Sequence, residues 1–116
     1  LPMGYEYWPQ AAEAAIRHAI DVARTPVYVT ENGIGTDDDE QRVRFLRESL
    51  EGVARTISDG LDVRGFFHWS MLDNFEWAYG YRMRFGLVAV DRATQARTVK
   101  PSATWLGQVI NRNRID

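Results

Sequence analysis

Val27-Tyr28-Val29-Thr30-Glu31-Asn32-Gly33 is an apolar run that stops abruptly at a carboxylate, an amide and a glycine. Val27 to Thr30 is β-branched and aromatic, the composition of a strand buried on both faces. Gly33 and Gly35 end it in a loop. A second such run, from Val63 to Trp69, is dominated by Phe66, Phe67 and Trp69. Between the two, Val43, Leu46, Leu50, Val53 and Ile57 recur at steps of three and four, the stripe of a core-facing helix. Thr36 or Asp37 is expected to cap that helix, with acidic residues in its first turn. Gly60 suits the left-handed residue that closes it. The unit is strand, helix, strand, and a connection of this length favours parallel strands with a right-handed crossover. The fold class is therefore α/β.

Outward from this unit, Pro9 to Ala23 reads as a helix opened by Pro9, with Ala12, Ala15, Ile16, Ala19, Ile20 and Ala23 on one face. Residues 70–83 form a long aromatic loop. Phe85 to Asp91 is expected to be a strand, followed by a turn over 91–95 and a short return strand. Pro101 opens a last helix whose inner face is Ala103, Leu106, Val109 and Ile110. No repeat, low-complexity tract or linker divides residues 1–116, which read as a single segment.

Composition narrows the function classes. In 116 residues, 45% are hydrophobic and 26% charged, with a net charge of −2 and no cysteine. That is a globular composition without the basic surface of a nucleic-acid binder, and without disulfide or thiolate chemistry. The apolar runs are too short to span a bilayer. The start, Leu1-Pro2-Met3-Gly4-Tyr5, lacks the pattern of a signal peptide.

In parallel α/β architectures, functional groups collect at the carboxyl ends of the strands. That places Glu31, Asn32, His68 and Trp69 around one rim. A glutamate ending a buried strand is costly unless paired, exposed or used, and spacing alone leaves a solvated carboxylate and a functional one equally open. Strand alternation turns His68 away from the site if Trp69 points in. The loop after Trp69 sets Phe75, Trp77, Tyr79 and Tyr81 among Asp73, Asn74 and Glu76. Aromatic faces stack on the C–H faces of sugars, and carboxylates and amides bond vicinal hydroxyls; a packed aromatic cluster is the bland alternative. With only His18 and His68 as histidines, no metal site is expected, and no cofactor.

These segments resemble glycoside hydrolase family 1. Val27 to Gly33 is similar to that family's strand-seven motif, in which Thr-Glu-Asn-Gly carries the nucleophile. Trp69-Ser70-Met71-Leu72-Asp73-Asn74-Phe75-Glu76-Trp77 resembles its strand-eight segment. Arg84-Phe85-Gly86-Leu87 with Val90-Asp91 resembles the following hairpin, and Arg97-Thr98-Val99-Lys100-Pro101-Ser102-Ala103 the entry to its last helix. Met3-Gly4-Tyr5-Glu6 and Trp8-Pro9 resemble the segment leading to helix six. The resemblance implies part of a (β/α)₈ barrel: strands seven and eight, flanking helices and a carboxy-terminal hairpin. It implies a retaining β-glycosidase of β-glucosidase type in which Glu31 is the nucleophile, with Asn32 in support. By the same resemblance Glu76 binds sugar hydroxyls bidentately, Trp77 donates from its indole N–H, and Trp69 and Phe85 line the sugar pocket. A glutamate at position 76 favours an unphosphorylated sugar.

Retaining glycosidases need a second carboxyl group, about 5–5.5 Å from the nucleophile, as acid/base. The family supplies it from an Asn-Glu-Pro motif, which this sequence does not contain. A complete barrel also takes about 250 residues. The chain is thus expected to be inactive alone and to require the amino-terminal barrel segment, or to cover its edges by self-association. The other readings are a non-catalytic sugar-binding module and a structural fragment. A cytoplasmic location is implied by the resemblance.

Overall fold

A computed structural model describes residues 1–115. Three helices and two small sheets follow in the order α1 (Ala11–Ala23), β1 (Val27–Val29), α2 (Asp39–Ser58), β2 (Val63–Phe66), β3 (Val88–Val90), β4 (Arg97–Val99) and α3 (Pro101–Arg112). β1 and β2 pair in parallel, with Tyr28 opposite Gly65 and Val29 opposite Phe66, and a register irregularity after Val27. β3 and β4 form an antiparallel hairpin, Val88 opposite Val99 and Val90 opposite Arg97. The expected strand, helix, strand unit is present.

Local chemistry explains most boundaries. The helical turn of α1 starts at Pro9, since Ala11 and Ala12 donate to the carbonyls of Trp8 and Pro9. The cap of α2 is Asp38, not Thr36 or Asp37: its Oδ1 accepts from the N–H groups of Glu40 and Gln41 at 3.0 and 3.1 Å. Thr36 acts one step earlier, accepting from Asp38 N–H at 3.1 Å. At the other end Gly60 has φ 84°, Gly60 N–H donates to Ile57 and Leu61 N–H to Thr56, the double bond that closes a helix through a left-handed residue. Pro101 is the first residue of α3. Asp39 ties the two helices together, accepting from Ser102 N and Oγ at 2.8 Å each. Burial opposes its charge, but the two Ser102 bonds and the Arg42 guanidinium outweigh burial and hold its pKa below the usual carboxylate value.

Several expected elements are shorter. β2 ends at Phe66 rather than Trp69, although Phe67 and Trp69 still donate to Val29 and Asn32 and so keep the chains side by side. The strand expected from Phe85 begins only at Val88, because 85–87 bond to the aromatic loop: Ser70 N–H donates to Phe85, and Leu87 N–H to Ser70. That loop contains a single 3₁₀ turn, Trp77–Tyr79.

The core is one-sided. Ile16, Phe45, Leu46, Val53, Phe85, Leu87, Val88 and Val90 are buried, whereas Ala15, Ala23, Ile57 and Ile110, assigned above to inner faces, are exposed. The buried flank of α2 is instead Arg42, Phe45, Leu46, Ser49, Gly52, Val53 and Thr56. Ile57 and Ile110 face an open groove of about 520 Å³ that also takes in Leu50, Phe66, Leu106 and Val109. The chain measures 47 × 33 × 20 Å and exposes 7321 Å². A folded monomer of this mass exposes roughly 6,500 Å². Among the described residues, no helix is long and apolar enough to cross a membrane.

Candidate active site

The parallel pair sets the geometry. Beyond β1 the chain runs on through Glu31 and Asn32, and Asn32 O accepts from Trp69 N–H at 2.9 Å. The approach is close: a Cβ on Gly33 would stand 1.9 Å from the Trp69 carbonyl oxygen, so only glycine fits. A cleft of about 540 Å³ opens at this end, lined by Tyr5, Glu31, Asn32, Gly33, Trp69, Glu76, Trp77 and Phe85. Glu31, Asn32, Trp69, Glu76, Trp77 and Phe85, to which the family resemblance gives catalytic, supporting or sugar-binding roles, therefore reach one space.

Each wall has its own support. Glu31 is exposed to the cleft, and no hydrogen bond or ion pair among the described residues engages its carboxylate. Asn32 presents a buried Oδ1 that has no partner. Trp69 joins Ser70 through a cis peptide bond. Phe85 is buried, its ring against Gly35, where a Cβ would lie 2.9 Å from it. Glu76 and Trp77 sit on a tight loop in which Glu76 N–H donates to Gly80 O at 2.7 Å and Gly80 N–H to Trp77 O at 3.0 Å. Trp77 holds φ 41°, a left-handed conformation that costs a bulky residue about 1 kcal/mol, and is 83% exposed.

The rest of the aromatic loop does other work. Asp73, grouped above with the sugar-contacting acids, is 5% exposed and turned inward. Its Oδ1 accepts from Gly86 N–H at 2.9 Å and from Lys100 Nζ at 3.0 Å. Lys100 also donates to Gly86 O at 2.7 Å. Burial pushes the Lys100 pKa down, and Asp73 works against that. Asn74 donates to Ser70 Oγ, and Phe75 packs edge-on against Tyr81.

His68 is not on the rim. Alternation turns it to the helix side, where it lines the apolar groove and its Nε2 lies 3.3 Å from Phe85 O. Burial, with a smaller contribution from the Arg42 and Lys100 charges, lowers its pKa to about 4, leaving the ring neutral near pH 7. Tyr5 was missed by sequence reasoning as a site residue. It is exposed and forms a wall of the cleft from outside any helix or strand. Its only local signal is an aromatic side chain standing free of the helix that follows. Among the described residues, no group of three or more His, Cys, Asp or Glu is arranged to hold a metal ion.

A parallel strand pair thus carries a free carboxylate beside aromatic and acidic walls at the carboxyl ends of its strands. The chain belongs to Glycosyl hydrolase family 1, whose profile matches residues 3–115. It is 48% identical over 96 residues to a 1,4-beta-D-glucan glucohydrolase of Thermotoga neapolitana, covering 75% of this chain and 22% of that protein. The crystal structure of the β-glycosidase BGL167 superposes with a TM-score of 0.94 at 56% identity, over 96% of this chain and 27% of the other. A β-glucosidase from Thermotoga maritima in complex with glucoimidazole gives 0.95 at 36% identity, over 99% of this chain and 28% of the other. The chain thus spans about a quarter of the proteins it matches. The structural neighbours are (β/α)₈ barrels, and the fold seen here corresponds to part of one.

Proposed function

We propose that this chain is the nucleophile-bearing part of a retaining β-glycosidase, contributing strands seven and eight of the barrel as β1 and β2. The observation that carries the reading is the convergence of Glu31, Trp69, Glu76, Trp77 and Phe85 on one cleft. Glu31 attacks the anomeric carbon of an unphosphorylated β-glycoside. A bond forms from its carboxylate oxygen to that carbon as the bond to the aglycone oxygen breaks. The leaving oxygen takes its proton from an acid/base on the partner segment. Water then attacks the same carbon, giving its proton back to that base and releasing Glu31 with net retention.

The other residues bind and orient. Glu76 accepts from vicinal hydroxyls, Trp77 donates from its exposed indole N–H, and Trp69 and Phe85 offer apolar faces to the ring. Asn32 supports the nucleophile segment, its unpartnered Oδ1 free to accept from a donor on the partner or the sugar. The partner is the remaining barrel segment, which would cover the open groove and the edges of β1 and β2. Alone, the chain lacks the second carboxyl group and is inactive.

A 2-deoxy-2-fluoro glucoside with a good leaving group slows hydrolysis of the glycosyl-enzyme and lets it accumulate. In the presence of the partner segment, the chain should gain the mass of one fluorosugar on the peptide holding Glu31. An adduct on another residue, with Glu31 unmodified in an active mixture, would refute the nucleophile assignment.

A further inference from the structure

The arm from Phe75 to Tyr81 carries both residues that Proposed function sets against the sugar hydroxyls, yet its hydrogen bonds are internal. Glu76 and Gly80 bond to each other's segment, Tyr79 N–H donates to Glu76 O at 2.8 Å, and Arg82 N–H donates to Tyr79 O. Contacts gripping the arm come from the hairpin turn. Arg92 donates through Nη2 to the carbonyl of Asp73, at the root of the arm. The same guanidinium lies 4.2 Å from the Tyr81 ring centroid, at the far end. Tyr81 in turn stands edge-on to Phe75, with centroids 5.4 Å apart. One cation therefore touches both ends of the segment that presents Glu76 and Trp77.

From this geometry we infer that Arg92 is a positioning residue, closing the Phe75–Tyr81 arm into the conformation in which Glu76 and Trp77 meet the sugar. The inference rests on the reading that these two residues contact substrate. Asp73 and Lys100 fix the root of the arm, where Asp73 accepts from Gly86 and Lys100; without Arg92 the far end keeps its packing on Phe75 and the arm's internal bonds. Arg92 is itself exposed, so its removal leaves the core intact. An arm left open must be ordered each time sugar binds. That ordering weakens ground state and transition state alike, which raises KM and spares kcat.

The test compares Arg92→Leu and Arg92→Lys in two measurements. In the chain itself, hydrogen exchange of the amides of Glu76, Tyr79 and Gly80 should quicken about tenfold in Arg92→Leu, the scale of one cation–π contact and one charged hydrogen bond. The amides of Leu46 and Val53 in α2 should not change. In the mixture with the partner segment, KM for an aryl β-glucoside should rise about tenfold with kcat within about twofold, and Arg92→Lys should fall between. Unchanged exchange in the arm overturns the inference, and so does equal acceleration in α2. Faster arm exchange with unaltered KM overturns it as well, leaving Arg92 a local stabiliser only. If the unsubstituted mixture is inactive, the proposed function fails, and the exchange comparison decides the clamp without any activity.

Discussion

The two sheets of this molecule differ in how far each is finished. Around the β3–β4 hairpin, Asp73 Oδ1 meets Gly86 and Lys100, and Arg92 meets the Asp73 carbonyl. Val88, Val90, Phe85 and Leu87 are buried there within the chain itself. The β1–β2 pair is the opposite case. It has two strands, Tyr28 and Phe67 stay 55% and 59% exposed on its open face, and Ile57 and Ile110 border an uncovered groove behind it. Parallel sheets are covered on both faces in complete domains. The lesson is that the hairpin region buries apolar side chains within the chain, whereas the strand pair leaves apolar surface open on both faces. The cleft lies where the two regions meet, with Glu31 from the open side and Phe85, Glu76 and Trp77 from the closed one.

The largest break in this contrast should come from Gly86→Ala. A Cβ there would lie 2.2 Å from Asp73 N and 2.4 Å from the Leu72 carbonyl carbon, both backbone atoms that cannot step aside singly. The aromatic loop would have to detach from the hairpin, at a cost of about 3 kcal/mol or more. Urea unfolding followed by tryptophan fluorescence should show the midpoint collapse; an unchanged midpoint would mean the loop is not docked through Gly86.

A smaller effect sharpens the open side. The folded pKa of His68 lies near 4 and its unfolded value near 6.5, so the unfolded chain binds the proton first. The stability owed to neutral His68 is complete above about pH 6.5 and is lost as pH falls towards 4. The charges bearing on it are Arg42 and Lys100, both of which disfavour the imidazolium. Carboxylates held low, such as Asp39, add their own losses below about pH 4. The urea midpoint of the unsubstituted chain should therefore fall between pH 6.5 and 4 more steeply than that of His68→Leu. Parallel slopes would contradict the burial of a neutral ring.

Much of this was legible in the chain because the signals are local. Gly60 and Pro101 act within one or two turns, and the run ending in Glu31 marks its own strand end. The misassigned details depend on distant partners. Phe85 has the composition of a strand, but its carbonyl is taken by Ser70 N–H, fifteen residues earlier in the chain. Asp73 is indistinguishable from Glu76 as a loop carboxylate until Gly86 and Lys100 are brought beside it. Tyr5 joins the cleft only because α1 and β1 carry the amino-terminal segment over the strand ends. Ile57 and Ile110 follow the helical period faithfully and yet stand exposed beside an open groove.

The most direct test is hydrolysis of an aryl β-glucoside by this chain alone, by a family fragment covering barrel strands one to six alone, and by the two mixed. The account predicts activity only in the mixture, and its loss when the chain carries Glu31→Gln. Hydrolysis that persists in the Glu31→Gln mixture, or that the chain performs unaided, would contradict it.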